Sequence, residues 1–303
     1  MAIPGPPVSG PATAGQRGAG ADWMLIDGSS LIFRAFFGVP RTVRAPSGML
    51  NNGIRGFLDL LARLVTDRRP RRVLIASDED WRPAWRVALI PGYKAHRVAE
   101  PVPPDLEPQI PRAWEVMAAI GIPVLGARDY EAEDVIATVA ARVEGTVEVV
   151  SGDRDLFGLV RDPRVWVLYP AGKGQWQYID EAAIEARYDV PGRAYSDFAA
   201  LRGDPSDGLP GLPGVGPKSA ASLLRRHGDA AGVMAAGRLS EAQAAYLRAA
   251  LEVVRPVETI DLDIPDRLLP TQPADPAGVE RLKLELGLGG AIDRLLKALD
   301  AAR

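Results

Sequence analysis

The chain has no cysteine and only two histidines among its 303 residues. Without thiols, neither disulfides nor thiolate-bound zinc can form. The histidines, His96 and His227, stand apart, and neither is placed as an obvious general base. No apolar run approaches the ~20 residues that a membrane helix needs. The first 20 residues lack the apolar segment of a secretory signal and are rich in Gly, Pro and Ala. Met1–Gly20 therefore reads as a flexible tail. A cytoplasmic location is the default expectation, with no membrane partner.

An apolar content of 47% and a charged content of 25% are those of an ordinary globular protein. The length suggests two domains or one large one. Net charge is −3, with 36 basic and 39 acidic residues. Nine of those acids fall in short motifs, and the remaining 30 leave the rest of the chain at +6. An anionic partner is compatible with such a balance, though not required by it.

The nine acids are Asp27 in MLIDGSS, Asp78 in VLIASDED, Glu131, Glu133 and Asp134 in YEAEDV, Asp153 and Asp155 in VVSGDRDL, and Asp204 and Asp207 in RGDPSDG. Several follow an apolar, β-branched run, which places a carboxylate at the carboxyl end of a buried strand. In an open α/β sheet those ends converge on one crevice. Like charges gathered there are costly unless cations share the site. Two hard divalent metals, Mg²⁺ or Mn²⁺, are the simplest expectation. A lone Asp at such a place serves as well as a helix cap or turn residue. Pairs such as Asp153 and Asp155 exceed what caps need. Asp134 lies in the first turn of a helix, where the macrodipole explains it nearly as well.

Strands and helices alternate through about residue 155. The strands are Trp23–Ile26, Arg72–Ala76, Pro123–Leu125 and Val147–Ser151. The helices between them are Ser29–Phe37, Ile54–Val65, Leu106–Ile120 and Ala132–Val143. This is the pattern of a parallel sheet covered on both faces. Val165–Tyr169 and Gln175–Ile179 read as a hairpin. Beyond Asp180 the chain reads as helical to its end. The expected organisation is a core over 21–180, with a long Trp-, Arg- and Pro-rich connection at about 81–104, and a helical unit over 181–303.

Two further motifs suit nucleic acid. LPGLPGVGPKSAASLLRRHG, Leu209–Gly228, joins a Gly-rich turn at Gly214 and Gly216 to a helix opening on Lys218 and Ser219. Backbone N–H groups, a helix N-terminus and one cation together favour a phosphate. That is the logic of a helix–hairpin–helix, which grips a backbone without reading sequence; a plain Gly/Pro loop is the alternative. Arg82, Arg86, Lys94, His96 and Arg97 interleave with Trp85 and Tyr93. Cations beside aromatic faces suit unpaired bases and phosphates. A solvated loop fits that composition equally.

Taken together, MLIDGSSLIFRAFF, LIPGYKAHR, YEAEDVIATVA, VVSGDRDL and LRGDPSDGLPGLPGVGPKSAASLL resemble the 5′→3′ exonuclease domain of bacterial DNA polymerase I, within the 5′-nuclease and flap-endonuclease superfamily. The resemblance runs from about Trp23 to about Pro265. It implies a PIN-like α/β nuclease core with a helical arch, followed by a helical helix–hairpin–helix subdomain. It implies metal-dependent hydrolysis of DNA and RNA-primer strands near 5′ ends and flap junctions, in replication and repair. It also implies that Asp27, Asp78, Glu131, Glu133 and Asp134 form a first metal set, and Asp153, Asp155, Asp204 and Asp207 a second. Lys94 and Arg97 would steer the scissile phosphate, with Arg86 a candidate for the same task. Phe33 would stack on a terminal base, and Tyr93 and His96 would contact DNA. The helix–hairpin–helix would hold duplex, with one K⁺. The implied partners are DNA with a 5′ flap, nick or free 5′ end, RNA–DNA primer junctions and a DNA polymerase. A stand-alone monomeric enzyme is the expectation. Three departures stand out. Glu133 replaces the first of two adjacent Asp, Gly208 replaces an Asn, and SDEDW adds Glu79 and Asp80. A junction-binding protein without turnover and a PIN-like ribonuclease are the other readings.

Overall fold

The structure is a computed structural model that describes residues 18–99, 102–172 and 174–302. Residues 1–17 of the expected tail lie outside the described residues. The strands are β1 (Trp23–Asp27), β2 (Val73–Ala76), β3 (Val124–Leu125), β4 (Val147–Val150), β5 (Val165–Gly172) and β6 (Gln175–Ile179). They form one sheet in the order β3-β2-β1-β4-β5-β6, parallel except for β6, which pairs antiparallel with β5. β1, β2 and β4 are buried along their whole length. Continuous apolar runs are what parallel strands covered on both faces require.

The helices of the first half are α1 (Gly28–Gly38), α2 (Asn52–Arg68), α3 (Ala84–Leu89), α4 (His96–Ala99), α5 (Gln109–Ile120) and α6 (Ala132–Arg142). Those of the second half are α7 (Glu181–Tyr188), α8 (Tyr195–Arg202), α9 (Pro217–His227), α10 (Ala230–Ala235), α11 (Glu241–Val254), α12 (Pro276–Leu286) and α13 (Gly289–Ala301). Successive strand side chains point to opposite faces. Met24, Ile26 and Ile75 thus enter a core with Leu31 of α1, Phe57 of α2 and Met117 of α5. Leu25, Leu74 and Val149 enter the other core, with Val135 and Ile136 of α6, Phe198 of α8 and Leu224 of α9.

The closing helices depart from the expected 181–303 unit. Leu282 and Leu286 of α12 and Ile292 and Leu295 of α13 belong to the core built on α2 and α5. Their apolar stripes find the uncovered side of α2, and chain order does not predict that return. The long connection carries two short helices, α3 and α4.

The chain leaves β1 for β2 and β3 on one side, and later continues through β4 and β5 on the other. The reversal falls beside the carboxyl end of β1. Crevices at such switch points hold ligands, and the acids converge there.

Candidate metal centre and nucleic-acid face

Asp27 ends β1 and caps α1, accepting a hydrogen bond from the Ser30 amide at 2.9 Å. Its second oxygen accepts the Ser151 hydroxyl at 2.5 Å. Asp78, just past β2, accepts from the Ala132 amide at 2.7 Å and so joins that strand to the start of α6. Asp153 follows β4; its amide donates to Ser151 Oγ at 2.9 Å, and its carboxylate accepts from the Asp155 amide at 2.9 Å. Cap and turn geometry thus aims these carboxylates, so the capping explanation and the ligand explanation describe the same side chains.

Glu133, Asp153 and Asp155 each bring a carboxylate oxygen to within 4.8 Å of the others. Asp207 lies close enough that its charge helps to raise the pKa values of Asp153 and Asp155. Burial is the largest influence on all three and raises their pKa values; for Asp155 the charges of Asp153, Asp207 and Glu133 add to it. Asp27 is pushed up to about 7 by burial and then by Asp78. Crowded hard-oxygen donors that resist ionising together fit a divalent cation, which removes the repulsion.

A buried basic network lies beside the trio. Arg86 is fully buried and pairs with Glu131, with Glu133 at 3.1 Å and with Asp134 at 2.7 Å. Lys94 pairs with Glu131, and the Tyr93 hydroxyl donates to Glu131 at 2.6 Å. Burial opposes the charge of Lys94, but Glu133, Glu131 and Asp207 outweigh it and hold the ammonium above its ordinary pKa. Arg97 is partly exposed and reaches Asp207 at 3.3 Å. In the second half of the chain, Gly216 caps α9 without any side-chain hydrogen bond, and Pro217 follows at the first helical position. Gly214, Gly216, Lys218 and Ser219 are all exposed. The first amides of α9 are therefore free to meet an anion.

Two family models cover nearly all of the described chain. The 5′-3′ exonuclease N-terminal resolvase-like domain matches residues 22–189, and the 5′-3′ exonuclease C-terminal SAM fold matches residues 190–274. The chain belongs to the 5′-3′ exonuclease family. It is 49% identical to a 5′-3′ exonuclease of Streptomyces coelicolor, over 92% of this chain and 100% of that protein. It is 38% identical to the DNA polymerase I of Mycobacterium bovis, over 92% of this chain and 32% of that protein. Among solved structures it resembles a bacteriophage T5 flap endonuclease in complex with DNA and metal ions. The TM-score is 0.62 at 17% identity, covering 92% of this chain and 98% of that one. The chain is thus similar both to separate 5′-3′ exonucleases and to the matching part of DNA polymerase I.

Within this family background, the grouping of the acids crosses the two sets that the resemblance implies. Glu133, placed in the first set, lies with Asp153 and Asp155 of the second. The reason is helical geometry. Glu131 and Asp134, three apart, share a face and close a capping box, while Glu133 reaches both Arg86 and the oxygens of Asp153 and Asp155. Asp134 is fully buried and spends both oxygens on Arg86, the Glu131 amide and the Val257 amide, so it has no free face for a metal. Asp204 accepts from the Ser206 amide at 2.9 Å and from Arg202 at 3.2 Å, an arrangement that builds the loop before the hairpin.

Two expected DNA contacts also differ. Tyr93 is buried, its ring beneath Lys94 and its hydroxyl on Glu131, so it offers no face to a base. Arg86, sealed among three carboxylates, has no open path to a phosphate. His96 opens α4 and is exposed, and Phe33 keeps part of its ring accessible. Ser151 escaped the sequence reading. Its signal is a small hydroxyl residue between a β-branched run and the first Gly-Asp.

Proposed function

We propose that this chain is a metal-dependent, structure-selective 5′ nuclease that hydrolyses phosphodiesters of DNA, and of RNA primers on DNA, near free 5′ ends and flap junctions. The observation that carries this reading is the trio Glu133, Asp153 and Asp155 at the carboxyl ends of the sheet, with Lys94 and Arg97 beside it. Two ions, Mg²⁺ or Mn²⁺, would be held by the trio together with Asp27, Asp78 and Asp207. When bound, such ions supply Lewis acidity toward the phosphate and lower the pKa of water.

The protein's own groups do the rest. Arg97, partly exposed, meets the incoming phosphate first. Lys94 leaves Glu131 to face the charge that develops on the phosphate oxygens. Tyr93 and Arg86 keep Glu131 and Asp134 fixed beneath it. The exposed amides of α9 and Lys218 grip the duplex backbone at a distance from the chemistry, with a K⁺ at the hairpin. Phe33 and His96 touch the 5′ strand. A monomer handling Okazaki-type primers and repair flaps alongside a DNA polymerase is the cellular role that fits. No helix of the described residues is long and apolar enough to cross a membrane.

A 5′-labelled flap duplex, incubated with Mg²⁺ or Mn²⁺ and then with EDTA, tests the reading. The expected result is metal-dependent release of a short 5′ fragment at the junction. Tight flap binding without cleavage would transfer the weight to a junction-binding protein. Lys94→Ala is expected to lower the single-turnover rate more than affinity, and an unchanged rate would remove Lys94 from the chemistry.

A further inference from the structure

The segment carrying Lys94 and the loop preceding the hairpin meet backbone to backbone. The Lys94 amide donates to the Asp207 carbonyl at 2.9 Å. Lys94 itself has a φ of +47°, a left-handed conformation that a lysine adopts only when its surroundings impose it. The next residue of the loop is Gly208, with a φ of +73°. A Cβ on Gly208 would run into the Gly92 carbonyl oxygen, and would lie 3.0 Å from the Gly92 carbonyl carbon and 3.5 Å from the Lys94 amide nitrogen. From the other side, a Cβ on Gly92 would stand 3.3 Å from the Gly208 carbonyl oxygen. No side chain fits between the two strands of chain at this point.

Both partners are themselves held. The Gly92 carbonyl accepts from the Ala95 amide at 3.2 Å, closing the turn that carries Lys94. The Asp204 carbonyl accepts from the amides of Asp207 and Leu209 at 3.1 and 2.9 Å, closing the loop that carries Gly208. Three residues on, the Leu212 amide donates to Leu201 at 2.9 Å, where the hairpin begins. Two rigid turns therefore touch at a single glycine pair, and neither can yield without losing its own hydrogen bonds.

We propose that Gly208, with Gly92 opposite it, is a positioning residue for Lys94. The bare backbone at 208 lets the pre-hairpin loop seat against the turn. The Asp207 carbonyl then holds the Lys94 amide, fixes its left-handed backbone and aims its ammonium at the carboxylate cluster. A side chain at 208 separates the turns, releases that amide and lets Lys94 relax to an ordinary φ. The same contact ties Lys94 to the duplex-gripping hairpin, so it transmits the hairpin's position to the reacting phosphate. This proposal rests on the catalytic role proposed above for Lys94.

The test is a double-mutant cycle in single-turnover cleavage at saturating flap DNA and metal, with binding measured separately. Gly208→Ala is expected to slow cleavage by about tenfold to a hundredfold, the usual cost of a misplaced catalytic group, with affinity within about twofold. In the Lys94→Ala background the same substitution is expected to change the rate by less than about twofold, because the group it misplaces is gone. Gly92→Ala, with its milder approach, is expected to show the same pattern at smaller amplitude, and it serves if Gly208→Ala does not fold. Wild-type cleavage by both glycine variants would overturn the proposal. So would an equal slowing with and without Lys94, which marks a merely structural defect. If Lys94→Ala alone cleaves at the wild-type rate, the role of Lys94 fails and this proposal with it. If Lys94→Ala is slow while the glycine variants are not, only the positioning role fails.

Discussion

The Ser151 hydroxyl donates to Asp27 across the carboxyl ends of β4 and β1, at 2.5 Å. This bond lowers the Asp27 pKa, yet burial and Asp78 together still leave it near 7. Asp27 therefore keeps its proton in the folded, metal-free protein at pH values where the unfolded chain has lost it. Between about pH 4 and pH 7 the folded state binds more protons, so stability falls as pH rises across that window. A divalent ion that replaces the proton reverses this. Thermal unfolding with EDTA is expected to show a Tm that declines from pH 5 to pH 7.5. Added Mg²⁺ or Mn²⁺ is expected to raise Tm increasingly above about pH 7. A metal effect independent of pH would argue against Asp27 as part of the site.

Glu133 and Asp134 are adjacent in sequence and different in task. Asp134→Asn leaves the buried Arg86 short of a charge partner and weakens the bond to Val257. Breaking such a pair costs about 3–5 kcal/mol, so Asp134→Asn is expected to lower stability by a comparable amount. Glu133→Gln removes one of three crowded carboxylates instead. Relief of that crowding offsets the loss of its pairing with Arg86, so the metal-free protein is expected to lose less stability than with Asp134→Asn, while cleavage is lost. Denaturant midpoints and flap cleavage of the two variants, measured side by side, check the division. Equal loss of stability in both would show that Glu133 is also structural.

The trio itself predicts a separation of binding from chemistry. Asp153→Ala is expected to abolish cleavage, since its oxygens face both Glu133 and Asp155. DNA affinity is expected to stay within about tenfold, because hairpin and backbone contacts do not pass through it. Gel-shift and cleavage titrations of the same preparation decide this. Near wild-type cleavage would remove Asp153 from the metal site.

The sheet was legible because its strands are short apolar runs that end in acids or small residues. Asp27, Asp78 and Asp153 announced the carboxyl ends of its interior strands for that reason. What stayed illegible is rotational. Sequence places Glu131, Glu133 and Asp134 together, and only the folded start of α6 shows that the middle one is grouped with Asp153 and Asp155. Tyr93 and Arg86 read as surface groups because aromatic and basic residues in a long connection are usually exposed. Their burial follows from α3 folding down onto the acids at the start of α6. The return of α12 and α13 to α2 depends on contacts more than 200 residues apart, such as Asn51 with Leu286 and Arg294 with Asp59 at 2.7 Å. No local pattern encodes those. Glu148, in the middle of β4, breaks an apolar run; its charge is met by buried Arg68 and by the Trp166 indole at 2.8 Å.

Lys218 allows the DNA-gripping role to be tested apart from the metal site. It lies in the first turn of α9, beside amides that no side chain caps, and it is exposed with no ion-pair partner among the described residues. A cation so placed adds affinity for a phosphate without touching the reacting group. Lys218→Ala is expected to weaken duplex binding several-fold and to reduce the slope of log affinity against log salt by about 1, the signature of one lost phosphate contact. The single-turnover rate at saturating DNA is expected to stay at the wild-type value, because exposed Lys218 makes no ion pair with the clustered carboxylates among the described residues. A fall in that saturated rate with an unchanged salt slope would place Lys218 in the chemistry and remove the hairpin from duplex binding.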